Sequence, residues 1–243
     1  MPGLRHSRRR LLYRSIVRFS VFARAAQTKS RLVWQLFIDK NELGKPTPEE
    51  KTRVRQMEER VAIVTGGGRS LGKATAERLY KDGFSVAVVD RDGAAARTVA
   101  ETLDAKGTKA RAYVLDVSSA ADVGLTLKAI SVDLGIPTAL VNNAGVYPDH
   151  ALLDMPVEAW DQVMSINLRG TFLCTQAFAR LRRDRNGGAI VNLASAAAFS
   201  ARAGASHYCT SKAGVVMFTK AAALELGPLG IRVNAVAPGL IEV

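Results

Sequence analysis

The sequence predicts an α/β fold built on a doubly wound parallel sheet, and three observations support this. The 243-residue chain is 48% hydrophobic, which is enough for one sizeable domain. From residue 60 onward, short β-branched apolar runs alternate with segments of helical spacing. A glycine run, TGGGRSLG (65–72), follows the first apolar run directly. Repeated β-α-β units of this kind place a parallel sheet between two layers of helices.

Six strands are predicted, each a short and nearly continuous apolar run. They are VAIVT (61–65), FSVAVVD (84–90), RAYVLDV (111–117), TALVNNAG (138–145), GGAIVNLAS (187–195) and IRVNAVAPG (231–239). Such runs are typical of parallel strands that are buried on both faces.

Helices are predicted between the strands. The first two, 73–83 and 93–107, each end at a glycine. Ser119, with Asp122 in the first turn, predicts the N-cap of the third. Pro156 is expected to begin one long helix that reaches residue 184, and the last helix passes through Tyr208 to Leu226. This order of elements predicts a Rossmann-type domain over residues 57–243.

Residues 1–56 differ in composition from the predicted domain. They carry a net charge of +10, whereas residues 57–243 carry +2, and no acidic residue precedes Asp39. Three interpretations remain open: upstream sequence foreign to the natural protein, a mitochondrial transit peptide, or a basic arm that binds nucleic acid or membrane. We expect this extension and linker to be largely disordered or weakly helical.

The composition also bears on compartment and partners. The chain has two cysteines, Cys174 and Cys209, which predict no disulfide framework and indicate a reducing compartment. The expected location is the cytoplasm, or the mitochondrion if residues 1–56 are a transit peptide. No apolar stretch is long enough to span a membrane. Neither nucleic acid nor membrane is expected as a partner of the nearly neutral domain, and no metal site is predicted.

The glycine run lies between a strand and a helix, where it predicts phosphate binding. Glycines let the backbone approach a pyrophosphate, and the N-terminus of the helix supplies N–H groups. Asp90 closes the second strand, where a carboxylate accepts hydrogen bonds from the ribose of NAD and repels the 2′-phosphate of NADP. Arg69 would suit that phosphate, so NADP stays possible although Asp90 favours NAD. A purely structural glycine turn is the alternative.

A second group of residues predicts proton transfer. Tyr208 and Lys212 are four residues apart, so both project from one face of a helix. A nearby ammonium group lowers the pKa of a phenol, which would make Tyr208 a general acid/base. Ser195 is placed at the carboxyl end of the fifth strand, where open α/β sheets bind their ligands.

These motifs together resemble the short-chain dehydrogenase/reductase family from Arg60 to the last residue. The residues that carry the resemblance are TGGGRSLG (65–72), Asp90, DV (116–117), NNAG (142–145), Asn167 in SINLRG, Ser195 in VNLAS, YCTSK (208–212) and APG (237–239). The sequence is similar to 3-oxoacyl-carrier-protein reductases and to related alcohol and sugar dehydrogenases. The resemblance implies an NAD(P)-dependent oxidoreductase acting on a small ketone or secondary alcohol.

The resemblance also implies a role for each matching residue. Tyr208 would exchange the hydroxyl proton, Lys212 would bind the nicotinamide ribose, Ser195 would bind the substrate carbonyl, and Asn167 would hold a water in a proton relay. The implied cofactor-binding residues are Gly66, Arg69, Ser70, Leu71, Gly72, Asp90, Arg91, Asp116, Val117, Asn143, Ala144, Gly145, Tyr208, Lys212, Pro238, Gly239 and Ile241.

Two departures from the family pattern raise further expectations. Ser70 stands where the family has a glycine, at a cost in backbone freedom, while its hydroxyl could contact a phosphate. The sequence ends at PGLIEV, where the family's substrate lid begins. The resemblance also implies that the family's usual seventh strand is missing, so the sixth strand is expected to form an exposed edge. A truncated chain with an incomplete substrate pocket is therefore expected, and a catalytically weak nucleotide-binding remnant is the alternative function. The family's dimers or tetramers are expected only with a complete C-terminus.

Overall fold

The computed structural model of the protein describes residues 20–21, 60–185 and 187–239. Seven strands are present in these ranges: β1 (Ser20–Val21), β2 (Val61–Thr65), β3 (Ser85–Asp90), β4 (Ala110–Val114), β5 (Pro137–Asn142), β6 (Gly188–Leu193) and β7 (Ile231–Ala237). The α-helices are α1 (Ser70–Lys81), α2 (Gly93–Leu103), α3 (Ala120–Asp133), α4 (Val157–Val163), α5 (Gly170–Leu181) and α6 (Ser206–Leu226). Short 3₁₀ helices occupy Leu152–Asp154, Ala196–Ala198 and Gly227–Leu229.

The strands form one parallel sheet in the order β1-β7-β6-β5-β2-β3-β4. The chain builds outward from β2 to β4 on one side and then returns to β5 on the other side of β2. The loops that follow β2 and β5 therefore diverge in opposite directions. This topological switch point opens a crevice at the carboxyl ends of the strands, where such sheets bind ligands.

Hydrophobic side chains pack on both faces of the sheet, as the uninterrupted apolar strands predict. Successive residues of β2 alternate between the two layers, because side chains along a strand point to opposite faces. Ile63 packs with Leu127 of α3 and Phe178 of α5, whereas Val64 packs with Leu79 of α1 and with other residues of that layer. All five side chains are buried, and each stabilises the fold by about 1.5–3 kcal/mol.

The structure confirms the fold class and the six strands, most with ends one to three residues shorter than predicted. Ser119 caps α3 by accepting a hydrogen bond from Asp122 N, as expected. The single helix predicted from Pro156 to residue 184 is wrong in its interior. A π-helical section, Met164–Arg169, separates α4 from α5, which ends at Leu181. Such insertions are rare and occur frequently at functional sites.

The prediction of an unpaired edge at the last strand is wrong at its carboxyl end. There, Ser20 and Val21 pair in parallel with Val236 and Ala237. The remainder of residues 1–56, for which disorder or weak helix was predicted, lies outside the described residues. No helix in the described ranges combines the length and apolar character that crossing a bilayer requires.

Candidate active site

A cleft of about 290 Å³ lies at the switch point of the sheet. Its walls come from the loops that follow β2, β3, β4 and β5 and from the π-helical section. Twelve of the predicted cofactor-binding residues lie on these walls: Gly66, Arg69, Ser70, Leu71, Gly72, Asp90, Arg91, Asp116, Val117, Asn143, Ala144 and Gly145. Residues that are up to 79 positions apart in the chain thus meet around one space.

The glycine loop is shaped by backbone atoms that pass too close for side chains. Gly66 has a φ of +62°, which favours glycine, and a Cβ there would lie 2.9 Å from Ala144 Cα. A Cβ on Gly72 would lie only 1.9 Å from Gly66 O. The two ends of the loop are therefore in direct contact, and this contact turns the N-terminus of α1 toward the cleft.

Ser70 has a backbone conformation that favours glycine, which explains why the family pattern has a glycine at this position. Its φ of +48° is in the left-handed region, and it is the one non-glycine residue with positive φ among the described residues. This conformation costs about 1–2 kcal/mol for a residue with a side chain. The exposed Ser70 also lines the cleft, so its hydroxyl is available to a ligand.

The turn after β5 supports the glycine loop from the opposite side. Thr65 Oγ1 accepts hydrogen bonds from Asn143 N and Ala144 N, both at 3.1 Å. The Asn143 side chain donates to Thr65 O at 3.0 Å and to Gly66 O at 2.9 Å. Both donors of the Asn143 amide therefore hold the loop, so this predicted cofactor residue shapes the cleft as well as lining it.

Two carboxylates line the part of the cleft beyond the glycine loop. Asp90 is 7% exposed and accepts hydrogen bonds from Gly68 N at 3.0 Å and Asp92 N at 3.1 Å. Each oxygen thereby has one backbone donor and keeps capacity for a second. Asp116 accepts from Ser118 Oγ and Ser118 N, and these hydrogen bonds lower the pKa of its carboxyl group.

Three further residues line the cleft that the sequence analysis did not single out, namely Leu115, Val146 and Ile166. Each is next to a predicted site residue in the chain, which is the signal that could have identified them. Of the other predicted cofactor residues, Tyr208, Lys212, Pro238 and Gly239 lie outside this cleft lining. Ile241 lies outside the described residues.

Tyr208 and Lys212 are brought together on α6 as predicted, with Lys212 Nζ 5.7 Å from the centroid of the Tyr208 ring. Lys212 is 5% exposed and donates to Leu193 O at 2.6 Å. Because burial disfavours its charged form, the pKa of Lys212 is lowered to about 8. A Cβ on Gly145 would lie 3.6 Å from Lys212 Nζ, so the lysine faces the space that this glycine leaves open.

Asn167 lies in the π-helical section and is fully buried. Its Oδ1 accepts from Val146 N at 2.8 Å, and its Nδ2 donates to Val146 O at 3.0 Å and to Ser211 Oγ at 3.1 Å. The side chain thus links the loop after β5 to α6. The position of a Cβ on Gly145 is 3.2 Å from Asn167 Oδ1, so this oxygen and Lys212 Nζ border the same space.

Ser195 follows β6, as predicted, and begins the short 3₁₀ helix. Its Oγ accepts a hydrogen bond from Ala197 N at 3.2 Å, which directs the side chain along the first turn. Ala196 N donates to Pro238 O at 2.8 Å. This bond places the APG segment next to the predicted catalytic serine, although the two lie more than forty residues apart.

A buried row of polar side chains behind the site was not predicted. Asn142 on β5 donates to Asn192 Oδ1 on β6 at 2.9 Å and to Thr175 Oγ1 on α5 at 3.0 Å. Asn192 in turn donates to Thr219 Oγ1 on α6 at 2.9 Å. The row therefore ties the two central strands to α5, which follows Asn167 in the chain, and to α6, which carries Tyr208 and Lys212.

Comparisons with known proteins agree with this architecture. Residues 60–243 match the sequence profile of the family described as short chain dehydrogenase. A 3-oxoacyl-[acyl-carrier-protein] reductase of Synechocystis sp. is 41% identical over 182 residues, covering 74% of each protein. The subunit BbsD of (2S)-[(R)-hydroxy(phenyl)methyl]succinyl-CoA dehydrogenase from Thauera aromatica is 40% identical over 186 residues, covering 76% of this chain and 75% of that protein.

A solved structure shows the same fold. The short-chain type dehydrogenase/reductase from Mycobacterium marinum is 39% identical and superposes with a TM-score of 0.72, covering 75% of this chain and 73% of that one. The matches favour an oxidoreductase acting on a C–OH or C=O group over a non-catalytic remnant. With its cleft, its Tyr208–Lys212 pair and these relatives, the chain belongs to the short-chain dehydrogenase family of NAD(P)-dependent oxidoreductases.

Proposed function

We propose that this protein reduces the ketone of a 3-oxoacyl thioester, with Tyr208 as the proton donor, and that it prefers NADH. The observation that carries the proposal is that the buried Lys212 lies beside Tyr208 and donates to Leu193 O, two residues before Ser195, at the carboxyl edge of a sheet whose switch point forms a glycine-walled cleft. The reverse reaction is oxidation of the matching secondary alcohol.

The cleft fits a dinucleotide cofactor by its own geometry. Gly66 and Gly72 leave no room for side chains, so backbone N–H groups at the start of α1 border the cleft directly. Gly145 leaves open the space beside Asn167 and Lys212, which a side chain would fill. When bound, the nicotinamide group supplies or accepts the hydride. Tyr208 and Lys212 would hold its ribose end, and the loop from Gly66 to Gly72 would hold the pyrophosphate.

The chain's own residues would handle the carbonyl oxygen and its proton. Ser195 Oγ would donate a hydrogen bond to that oxygen and stabilise the negative charge that develops on it. The Tyr208 hydroxyl would transfer its proton to the same oxygen. Lys212, positively charged below about pH 8, lies 5.7 Å from the Tyr208 ring and would stabilise the phenolate left behind. Asn167 would hold the loop and helix that border the lysine.

The preference for NADH rests on Asp90. Its carboxylate is 7% exposed and lies on the cleft wall, where it can accept hydrogen bonds from ribose hydroxyls. A 2′-phosphate at the same position would meet this negative charge. Arg69 and Arg91 also line the cleft and work in the opposite direction. We give Asp90 more weight because its oxygens are fixed by Gly68 N and Asp92 N, whereas both arginines are exposed.

The thioester substrate is inferred from the chemistry that two relatives share. The name of the Synechocystis protein specifies a 3-oxoacyl group on a carrier protein. The name of the Thauera protein specifies a CoA thioester whose hydroxyl lies on the β-carbon, the carbon bonded to the α-carbon of the acyl group. Both names therefore describe the same relation between thioester and oxygen. Both proteins are about equally similar to this chain.

The test is reduction of acetoacetyl-CoA, followed by loss of NADH or NADPH absorbance. The wild-type chain should turn over with both cofactors and show the higher kcat/KM with NADH. Tyr208→Phe should lower kcat by about 10²–10⁴-fold, since the proton donor is lost, while NADH should still bind, with its affinity reduced only by the loss of one hydrogen bond to the ribose. Asp90→Asn should lower the NADH/NADPH ratio of kcat/KM by about tenfold.

Other outcomes would redirect the proposal. Turnover of simple secondary alcohols or sugars, without turnover of acetoacetyl-CoA, would keep the oxidoreductase and reject the thioester. Cofactor binding without turnover of any carbonyl would support the nucleotide-binding remnant instead.

For the compartment we propose the cytoplasm, supported by the free thiols of Cys174 and Cys209.

A further inference from the structure

The loop that follows β5 packs against the segment leading into Tyr208. The Tyr147 ring contacts the Tyr208 ring edge to face, with the ring centroids 4.5 Å apart and the planes at 71°. Aromatic pairs prefer this geometry, because the positive edge of one ring meets the negative face of the other. Tyr208 therefore has Lys212 on one side at 5.7 Å and Tyr147 in direct contact.

Tyr147 is itself held in place from behind. The Arg202 guanidinium lies over its ring, 5.5 Å from the centroid. Burial raises the pKa of Tyr147 and the nearby Asp149 carboxylate raises it further, so the hydroxyl keeps its proton. Tyr147 is 40% exposed, yet the Arg202 cation covers one face of its ring.

The backbone on both sides of Tyr147 is also anchored. Both polar groups of Val146 are bonded to the Asn167 side chain, at 2.8 and 3.0 Å. His150 N donates to Gly204 O at 2.9 Å, and the His150 ring contacts the ring of His207, which directly precedes Tyr208. The loop is thus joined at one end to Asn167 and at the other to the first turn of α6. Tyr147 therefore lies between two anchored points of the loop, Val146 and His150.

From these contacts we propose that Tyr147 is a positioning residue, which holds the ring of Tyr208 in the orientation needed for proton transfer. This role rests on the proposed function of Tyr208. A general acid must lie within hydrogen-bond reach of the atom it protonates, and a phenol ring that turns about its side-chain bonds leaves that position. Contact with Tyr147 on one side restricts such turning. Asn167 acts through the same loop, since it fixes the residue before Tyr147.

The orientation is tested first by a measurement that needs no substrate. The chain has five tyrosines, so 3-fluorotyrosine labelling gives few ¹⁹F resonances, and Tyr208→Phe assigns that of Tyr208. Tyr147→Leu should narrow the Tyr208 line, because the ring becomes more mobile. The linewidth is the readout rather than the chemical shift, since losing a neighbouring ring changes the shift by itself.

Phe172→Leu is the matched control. Phe172 is also 40% exposed and also makes an edge-to-face contact, with Phe218 at 6.1 Å and 79°, but it lies on α5 outside the site. This variant should leave the Tyr208 line unchanged. An unchanged Tyr208 linewidth in Tyr147→Leu would overturn the proposal, whatever the enzyme turns over.

Kinetics with acetoacetyl-CoA then show whether the orientation affects catalysis. Tyr147→Leu should lower kcat by about three- to tenfold, which corresponds to the loss of one aromatic contact, with KM nearly unchanged. Tyr147→Phe keeps the ring and should restore kcat. Arg202→Gln should have a smaller effect than Tyr147→Leu and add nothing to it. A raised KM at unchanged kcat would make Tyr147 a substrate wall and overturn the positioning role.

The two proposals fail in different ways. If the wild-type chain does not reduce acetoacetyl-CoA, the proposed function fails, and the Tyr208 linewidth still decides whether Tyr147 holds the ring. If the wild-type chain is active and Tyr147→Leu leaves kcat unchanged, the proposed function stands and the positioning role fails.

Discussion

The two halves of the site are built by opposite means. The half proposed to bind the cofactor, called the cofactor half, consists of the glycine loop and the turn after β5. Its shape depends on missing side chains, since backbone atoms meet where Gly66 and Gly72 have no Cβ. The half proposed to transfer the proton, called the catalytic half, is shaped by side chains that are present and buried, such as Asn167, Asn192 and Lys212. In the first half an added atom is the damaging change. In the second half the damaging change is the removal of a polar atom, because its buried hydrogen-bond partners are left unpaired. The buried charge of Lys212 also affects the free energy of unfolding.

The largest expected effect comes from Gly72→Ala. The new Cβ would lie 1.9 Å from Gly66 O, so the backbone of the loop must move. We expect the free energy of unfolding to fall by about 3 kcal/mol and NADH binding to be lost. Urea denaturation and fluorescence titration with NADH measure the two effects.

Gly124→Ala is the control for this variant. Gly124 lies within α3, and a Cβ there meets nothing within 4 Å. The change should raise stability by about 0.5–1 kcal/mol, since alanine favours helix over glycine. Equal loss of stability in both variants would show that the close contact between Gly66 and Gly72 does not govern the loop.

Lys212→Met tests the buried charge of the catalytic half. The pKa of Lys212 is about 8 in the folded chain against an ordinary value of 10.5. Below pH 8 both folded and unfolded chains hold the proton, and burial of the charge opposes folding. Between pH 8 and 10.5 only the unfolded chain holds it, so wild-type stability should rise by about 3 kcal/mol over this window.

The methionine variant should lack that rise, because it has no proton to lose. Urea denaturation of the cofactor-free protein at several pH values from 7 to 10.5 measures the difference. Lys220→Met removes an exposed lysine of the same helix and should keep the rise. A rise of the same size in the Lys212 variant would assign the pH dependence to other groups.

The difference between the halves also explains what the sequence could predict. The glycine loop, Asp90 and the NNAG turn are short local motifs, and the family resemblance that they carry implied the twelve predicted residues that line one cleft. The strands could be predicted because short apolar runs that are rich in β-branched residues favour strand over helix. Ser70 was recognised as a departure, and its positive φ supplies the physical reason.

The catalytic half depends on contacts between distant segments. The pairing of Asn142 with Asn192 follows from the register of β5 and β6, which no local pattern reveals. Tyr147 contacts Arg202 and Tyr208, which lie more than fifty residues later in the chain. The π-helical section around Asn167 covers six residues, too few for its period to differ visibly from that of an α-helix.

Asn192→Ala should have an intermediate effect. The change removes the acceptor for Asn142 Nδ2 and the donor to Thr219 Oγ1 in a fully buried place. We expect a loss of about 2 kcal/mol in the free energy of unfolding, the usual result when buried polar groups lose a partner. Thr102→Val removes an exposed hydroxyl that donates to Thr98 O and should change stability by less than about 0.5 kcal/mol. Similar losses in the free energy of unfolding of both variants would show that the buried row contributes no more to stability than an exposed hydrogen bond.

The smallest expected effect is that of Ser70→Gly. Both backbone conformation and a polar side chain are at issue at this residue. Glycine adopts the φ of +48° without strain, which stabilises the folded chain. Glycine also makes the unfolded chain more flexible, which offsets part of this gain, so the free energy of unfolding should rise by about 1 kcal/mol. Ser70→Ala keeps the strained backbone and loses only the hydroxyl. If both variants bind NADH more weakly, the hydroxyl is a ligand for the cofactor. If Ser70→Gly is more stable and binds equally well, the serine is a strained substitute for glycine, and the cofactor half relies on its backbone alone. Lower stability of Ser70→Gly would show that the positive φ is not a source of strain.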